Sequence, residues 1–318
     1  MKTSSELTEY YFKKLFPVLE HLEKQRVRAR NALFIGGTIS SIVSALLYFY
    51  TPIPEPIIVF FGIAFGSLSF LTKYSKYKKE FKTFLIRPLI RIIDSNLSFD
   101  PEKHVSRKHV ENSNIIQRKI DKLGGSNYIH GYIDDVKIEF SDILAQKAHR
   151  TTSEDFGKRT QYTNIFKGLF IVCEFNKEFH GETIILQDSA QKIFGDLIGN
   201  WFQSQNIKRG ELVKLDNIAF EKEFVVYSND QIEARYILSP SLMEKIILLR
   251  SRSKNDLSIS FRNNNIFIVL HNNKYSFEPT LFRSLLKHTV AMEYIETLRL
   301  AIGIVKELKL NQKIWSKR

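Results

Sequence analysis

A single cysteine, Cys173, among 318 residues leaves the chain without an internal disulfide or a thiolate metal cluster. Its eight histidines are scattered, and His104 and His109, five apart, fall on different faces of a helix and form no ligand pair. A Walker-type phosphate loop, a dinucleotide glycine fingerprint, His-Glu-x-x-His and Gly-x-Ser-x-Gly are all absent. Gly124-Gly125-Ser126 has no strand before it and reads as a plain turn rather than a phosphate cradle. No catalytic residue, metal ligand or cofactor is therefore assigned, and a non-catalytic role is the expectation.

Basic charge is in excess, but unevenly. Residues 1–91 hold 14 Lys+Arg against 6 Asp+Glu, whereas residues 92–318 hold 33 against 28. A nucleic-acid binder gathers its basic residues on a folded module with interleaved aromatics, so no nucleic-acid partner is expected here.

Charge almost vanishes from residue 31 to residue 72, where only Glu55 carries it. Residues 33–50 and 57–72 are uncharged, and Pro52, Pro54 and Pro56 between them prevent one continuous helix. Each run, slightly extended, reaches roughly 25–30 Å as a helix, close to a bilayer's hydrocarbon thickness. A transmembrane hairpin is predicted. It does not read as a cleavable leader, because about thirty mostly polar residues precede the first run. Seven basic residues flank each side and the connecting loop has none, which predicts both termini on the cytoplasmic side. Neither run holds an ionisable group, which argues against a pump. Gly62-x-x-x-Gly66 suits close helix approach, either within the hairpin or between two chains.

Apolar residues recur at helical spacing on both flanks. Leu7, Tyr11, Leu15, Val18 and Leu22 form one stripe, with a kink conceivable at Pro17; Tyr77, Phe81, Phe84, Leu85, Leu89, Ile92 and Ile93 form the other. Packing of these helices as a stalk is preferred over their lying on the bilayer surface. The basic residues Arg26, Arg28, Arg30, Lys76, Lys78, Lys79 and Lys82 are the candidates for contact with anionic headgroups. Residues 1–99 thus comprise amphipathic helix, hairpin and juxtamembrane helix.

Residues 100–318 read as an α+β domain with a mainly antiparallel sheet and packed helices. Residues 136–140 alternate as a half-buried strand, and residues 168–175 and 183–187 are expected to pair as a hairpin around His180-Gly181. Residues 257–261 and 266–270 are expected to form another, turning at Arg262-Asn-Asn-Asn265. Residues 193–202 carry an amphipathic helical pattern, residues 212–215 and 224–227 are further strands, and a closing helix is expected over 280–310. The stripe from Leu281 and Leu285 to Val305 and Leu308 is too long for a short sheet to cover, so this helix is expected to pack on the stalk. Asp230-Gln-Ile-Glu233 has capping-box spacing, and Ser239-Pro240 opens a following helix. Asp230, Glu233, Arg235 and Tyr236 are the candidate polar site; the competing reading makes them a structural corner.

Three stretches carry a family resemblance: 130–141 (His-Gly-Tyr-Ile-Asp-Asp-Val-Lys-Ile-Glu-Phe-Ser), 166–183, and 224–240 (Phe-Val-Val-Tyr-Ser-Asn-Asp-Gln-Ile-Glu-Ala-Arg-Tyr-Ile-Leu-Ser-Pro) with Leu242-Met-Glu244 after it. In them the chain resembles a bacterial two-pass membrane protein family catalogued as a domain of unknown function, family 3137. The resemblance implies the bacterial inner membrane, a cytosolic soluble part and no agreed activity. It also implies a LemA-like membrane protein as one partner. The expected function is a membrane-anchored cytosolic binding or scaffold module, self-associating and non-catalytic. The alternatives are an inner-leaflet enzyme acting on a lipid or nucleotide through acidic residues near Asp230, and, third, a channel-like oligomer.

Overall fold

The computed structural model describes residues 15–50, 52, 55–153, 157–187, 210–253, 255–272 and 274–308. Leu7 and Tyr11 of the first stripe, the amphipathic pattern over 193–202 and the last ten residues lie outside them. The chain divides into two compact units: Met1–Ile93 with Phe277–Glu296, and Asp94–Ser276 with Thr297–Arg318.

In the first unit α1 runs over Phe16–Tyr50, with Pro17 in its first described turn. α2 spans Glu55–Phe81, and a π turn at Lys82–Ile86 joins it to α3, Arg87–Ile93. The π turn has a local cause. Pro88 has no N–H to offer Phe84, and its ring would strike that carbonyl, so the Arg87 N–H reaches five residues back to Lys82 O. The extra residue rotates the inner face. Tyr77, Phe81, Leu85, Leu89 and Ile93 are buried together with Ile86 and Ile90, while Phe84 is 47% exposed. Where α1 and α2 pair, Gly62 permits close approach: a Cβ there would lie 2.3 Å from Ser44 Oγ and 3.0 Å from Ser40 Oγ. Both helices, taken as Phe16–Tyr50 and Ile57–Ile93, are long and apolar enough to cross a membrane.

Residues 277–296 return to this unit as a strap. A helix was expected from 280, but α8 spans His288–Glu307 and starts eight residues later. The intervening backbone finds its partners on α1 and α2 instead. Tyr77 Oη donates to Thr280 O (3.0 Å), Arg26 to Leu281 O (2.6 Å), and Leu285 N–H donates to the Glu23 carboxylate (3.0 Å). Further along, the rings of Phe81 and Tyr294 meet edge-on at 5.0 Å.

The second unit is α+β, and every strand pairing in it is antiparallel. Its elements are β1 (Leu97–Asp100), α4 (Arg107–Asn112), β2 (Lys122–Ile133), β3 (Val136–Ser153), β4 (Gly157–Gln187), β5 (Glu211–Val213), α5 (Ile218–Glu223), β6 (Phe224–Ser228), α6 (Gln231–Ile237), α7 (Pro240–Arg252) and β7 (Asp256–His271). The sheet order is β1-β2-β3-β4-β6-β5, and β7 also pairs with β4. Val105, Val110, Ile116, Ile143, Phe166, Phe170 and Phe267 belong to its main core cluster.

Two expected hairpins do not form. Residues 168–175 and 183–187 lie on the single long strand β4, and 257–261 and 266–270 on the single strand β7. The two strands run beside each other, with register shifts between Glu174 and Phe179 and between Phe179 and Glu182, opposite Asn263–Asn265. The positive φ of Asn263 (56°) thus serves an irregularity within a strand rather than a turn. Gly124–Ser126 is likewise no turn but part of β2. A Cβ on Gly125 would meet Asp142 O at 2.3 Å and His104 Cβ at 2.7 Å, so glycine lets the strands close on that side chain.

Candidate functional site

The corner between β6 and α6 forms as the capping signals require. Asp230 is extended (φ −132°, ψ 100°), and its carboxylate accepts from the N–H groups of Ile232 (3.0 Å) and Glu233 (2.9 Å). The other half of the expected capping box is different. The Asp230 N–H is taken by Ser228 Oγ (3.1 Å), which frees Glu233 to turn toward β4. There its two oxygens accept from His180 N–H (3.1 Å) and Gly181 N–H (2.7 Å), the donors that the bend of β4 leaves outside the ladder.

Neighbouring groups complete the clasp. Glu182 N–H donates to Asn229 Oδ1 (2.7 Å), Asn229 N–H to Glu182 O (3.3 Å), and Asn114 Nδ2 to the Glu182 carboxylate (2.9 Å). A Cβ on Gly181 would come within 2.7 Å of Asn229 Oδ1 and 3.0 Å of Asp230 Cβ and Glu233 Oε2, so a larger residue there would have to push the clasp's side chains aside. Arg235 and Tyr236 face outward. Arg235 donates to the carbonyls of Gln231 (3.2 Å) and Lys214 (3.4 Å). Tyr236 is 57% exposed. Of the four candidates, then, Asp230 and Glu233 are brought together on backbone amides, and the other two are not part of that cluster.

This corner lies inside the stretch that matches a known family. Residues 164–310 match the family described as protein of unknown function, DUF3137. The chain resembles that family. The DUF3137 match takes in most of β4, from residue 164, then β5 to β7 and α8, and leaves the apolar helices and residues 130–141 outside it. One solved structure, the crystal structure of the mycobacterial trehalose monomycolate transport factor A (TtfA), is similar at a TM-score of 0.34 and 10% identity. The likeness covers 70% of this chain and 92% of that one, and at this distance it supports no inference about fold or role. No curated protein matches the chain.

A second polar cluster lies outside the DUF3137 match, on β2, β3 and α4. Glu139, 8% exposed, accepts from Tyr128 Oη through one oxygen and meets His109 Nδ1 with the other. Burial by itself would raise the Glu139 carboxyl. Hydrogen bonds from His109 and Tyr128, and the charges of His109 and Lys137, outweigh it and hold the group below the usual carboxylate range. Burial and the adjacent Glu139 push the Tyr128 phenol up. Glu139 is therefore an anchored anion rather than a proton acceptor, and it fixes the ring of His109. Sequence alternation pointed the other way, setting Val136, Ile138 and Phe140 on the buried face of β3 and Lys137 and Glu139 on the opposite one. Among the described residues, no group of three His, Cys, Asp or Glu could hold a metal ion.

The basic residues flanking the apolar helices divide in two. Arg26 is buried, paired with Glu23 at 2.7 Å, and Lys82 is buried 3.3 Å from Glu278. Lys78 meets the same Glu278 carboxylate at 2.9 Å. Arg28, Lys76 and Lys79 are exposed and Arg30 is half-buried, Lys76 lying 3.8 Å from Glu80. Acidic partners within the strap and stalk thus hold three of the seven cations selected for headgroup contact at 3.3 Å or less, and the exposed Lys76 more loosely at 3.8 Å.

Proposed function

We propose that this chain is a two-pass protein of the bacterial inner membrane with both termini in the cytoplasm, and that its soluble part is a non-catalytic binding or scaffold module. The observation that carries the anchor is where the large apolar side chains point. Phe34, Ile35, Ile42, Leu46, Phe61 and Ile63 are each more than half exposed, while small Ser40, Ser44 and Gly62 face the partner helix. In the most apolar 18 residues of each helix only 6% and 13% are buried. A core helix of a soluble protein would have the reverse arrangement, with its large side chains inside. The basic flanks support the orientation.

The scaffold reading is supported by how the candidate polar residues are used. Asp230 and Glu233 accept backbone N–H groups, which weakens the alternative of an enzyme that works through them. Self-association and a LemA-like membrane protein are the partners proposed, with Arg28, Arg30, Lys76 and Lys79 available to anionic lipid. Alkaline carbonate extraction of membranes should leave the full chain in the pellet. Reporters fused after Arg318 and inserted at Pro52 should respond from opposite sides of the membrane. Release by carbonate would remove the anchor, and a C-terminal reporter active outside would reverse the topology.

A further inference from the structure

Past the point where β2 leaves the sheet, at the pair Lys122 and Gln146, β3 and β4 continue alone as a two-stranded ribbon. Seven further pairs run from Lys147 and Thr163 to Ser153 and Gly157. Among the described strands, none pairs with the other edge of β4 before Gly168. Thr160, Gln161, Tyr162, Thr163 and Asn164 are all exposed, as are Lys147 and His149, so both faces of the ribbon are open where its side chains are described. An isolated two-stranded ribbon buries little and is marginal in water, so such a projection needs a reason.

Its chemistry suggests one. The ribbon strands carry Lys147, Arg150, Lys158 and Arg159 without an acidic residue; Glu154 and Asp155 sit only in the connection between them. Basic residues beside open edges discourage pairing between identical copies. The chain itself shows what these edges accept. Asp121 Oδ2 takes the outward N–H of Ala148 at 2.8 Å, and Lys122 lies over the ring of Tyr162, 5.3 Å from its centroid. Because antiparallel pairs alternate, the N–H of Thr160, two residues along from the partner of Ala148, also faces outward, on the β4 side.

We propose that this ribbon is a docking arm, and that its open β4 edge receives an extended acidic segment of another protein as an added strand. The proposal rests on the binding-module reading above and gives that module's partner a chemistry. Backbone hydrogen bonds supply the alignment; the flanking cations select acidic sequence and reject a second copy.

The test uses the full chain in detergent micelles and a fluorescent peptide of alternating Glu and Thr, about ten residues long, the length of a generous strand. Anisotropy should rise with this peptide and not with a Lys/Thr counterpart. Lys147→Glu combined with Lys158→Glu should weaken binding about tenfold, the equivalent of about 1.4 kcal/mol. Thr160→Pro removes one outward N–H without touching the β3–β4 ladder, and should weaken it comparably. Unchanged hydrogen exchange at residues 138–145 will show that the sheet is intact in each variant. No binding by the parent chain overturns the proposal. So does full binding by Thr160→Pro, which would mean charge contact without strand addition. Protection of residues 158–164 in phosphatidylglycerol nanodiscs without peptide, absent in phosphatidylcholine ones, overturns it in favour of the bilayer. Carbonate extraction judges the anchor separately, since the peptide titration does not depend on it.

Discussion

At the residue scale the corner is held by two carboxylates with different tasks. Asp230 caps α6, so Asp230→Ala should cost about 0.5–2 kcal/mol, as such caps do. Glu233 satisfies two backbone donors of β4, and Glu233→Ala strands both, a loss of about 1–3 kcal/mol for each group left without a partner. Urea unfolding of the full chain, followed by far-UV ellipticity, should therefore place Glu233→Ala below Asp230→Ala; the opposite order would demote the clasp. The cap was legible because Asp followed by Glu at three residues is a local signal. The clasp was not, since it depends on Ser228 taking the N–H that the box would have used, and on a bend 50 residues away in the chain. Glu139 offers a pH test. Its carboxyl is depressed in the fold, so the unfolded chain binds the proton more readily and the stabilisation is present above the ordinary carboxylate pKa of about 4.3. It is lost as pH falls through that value and below. Glu139→Gln should accordingly flatten the decline in thermal midpoint between about pH 5 and pH 3, and an acid limb identical to that of the parent would assign the decline to other carboxylates.

At the scale of elements, composition and local spacing revealed the apolar helices, the antiparallel sheet and the start of α7 at Ser239-Pro240. They misread β4 and β7. A strand buried on both faces gives a continuous apolar run, and a polar interruption such as Arg262-Asn-Asn-Asn265 looks the same whether the chain reverses or only bulges. Only the opposing strand decides, and here β4 and β7 deviate at the same level. The π turn before Pro88 escaped notice for a related reason: proline announces a disturbance but not its form. Gly62 yields the prediction for the helix pair. With Cys173 replaced by Ser, the pair Ser40→Cys and Gly62→Cys should form a disulfide within one chain, seen as a mobility shift at monomer size. Dimer alone on the gel would move this glycine face to an interface between chains.

For the whole molecule, the division of the chain matters more than any one contact. The first unit is discontinuous, with residues 277–296 folded against helices that end at Ile93. That the closing segment would meet the stalk was legible from its long apolar stripe; the irregular start, held by Glu23, Arg26 and Tyr77, was not, because those partners lie 203 to 262 residues away. A protease site engineered between Ile93 and Asp94 should cut the backbone without separating the pieces. After cleavage, residues 1–93 should copurify with the remainder in determined stoichiometry. Raising salt alone should not release them, because Arg26 and Lys82 are buried beside their carboxylates and Phe81 packs on Tyr294. Free fragments at low salt would contradict the strap. The same discontinuity bears on synthesis. The strap leaves the ribosome about 180 residues after Ile93, roughly 10–40 s later at about 5–20 residues per second. Throughout that interval Leu19, Leu22, Tyr77 and Phe81 have no strap beside them. The two apolar helices are therefore made first and the strap that covers them last, so an mRNA truncated before codon 277 would leave behind a helix pair with an open apolar flank, a substrate for chaperones and quality-control proteases rather than a smaller working protein.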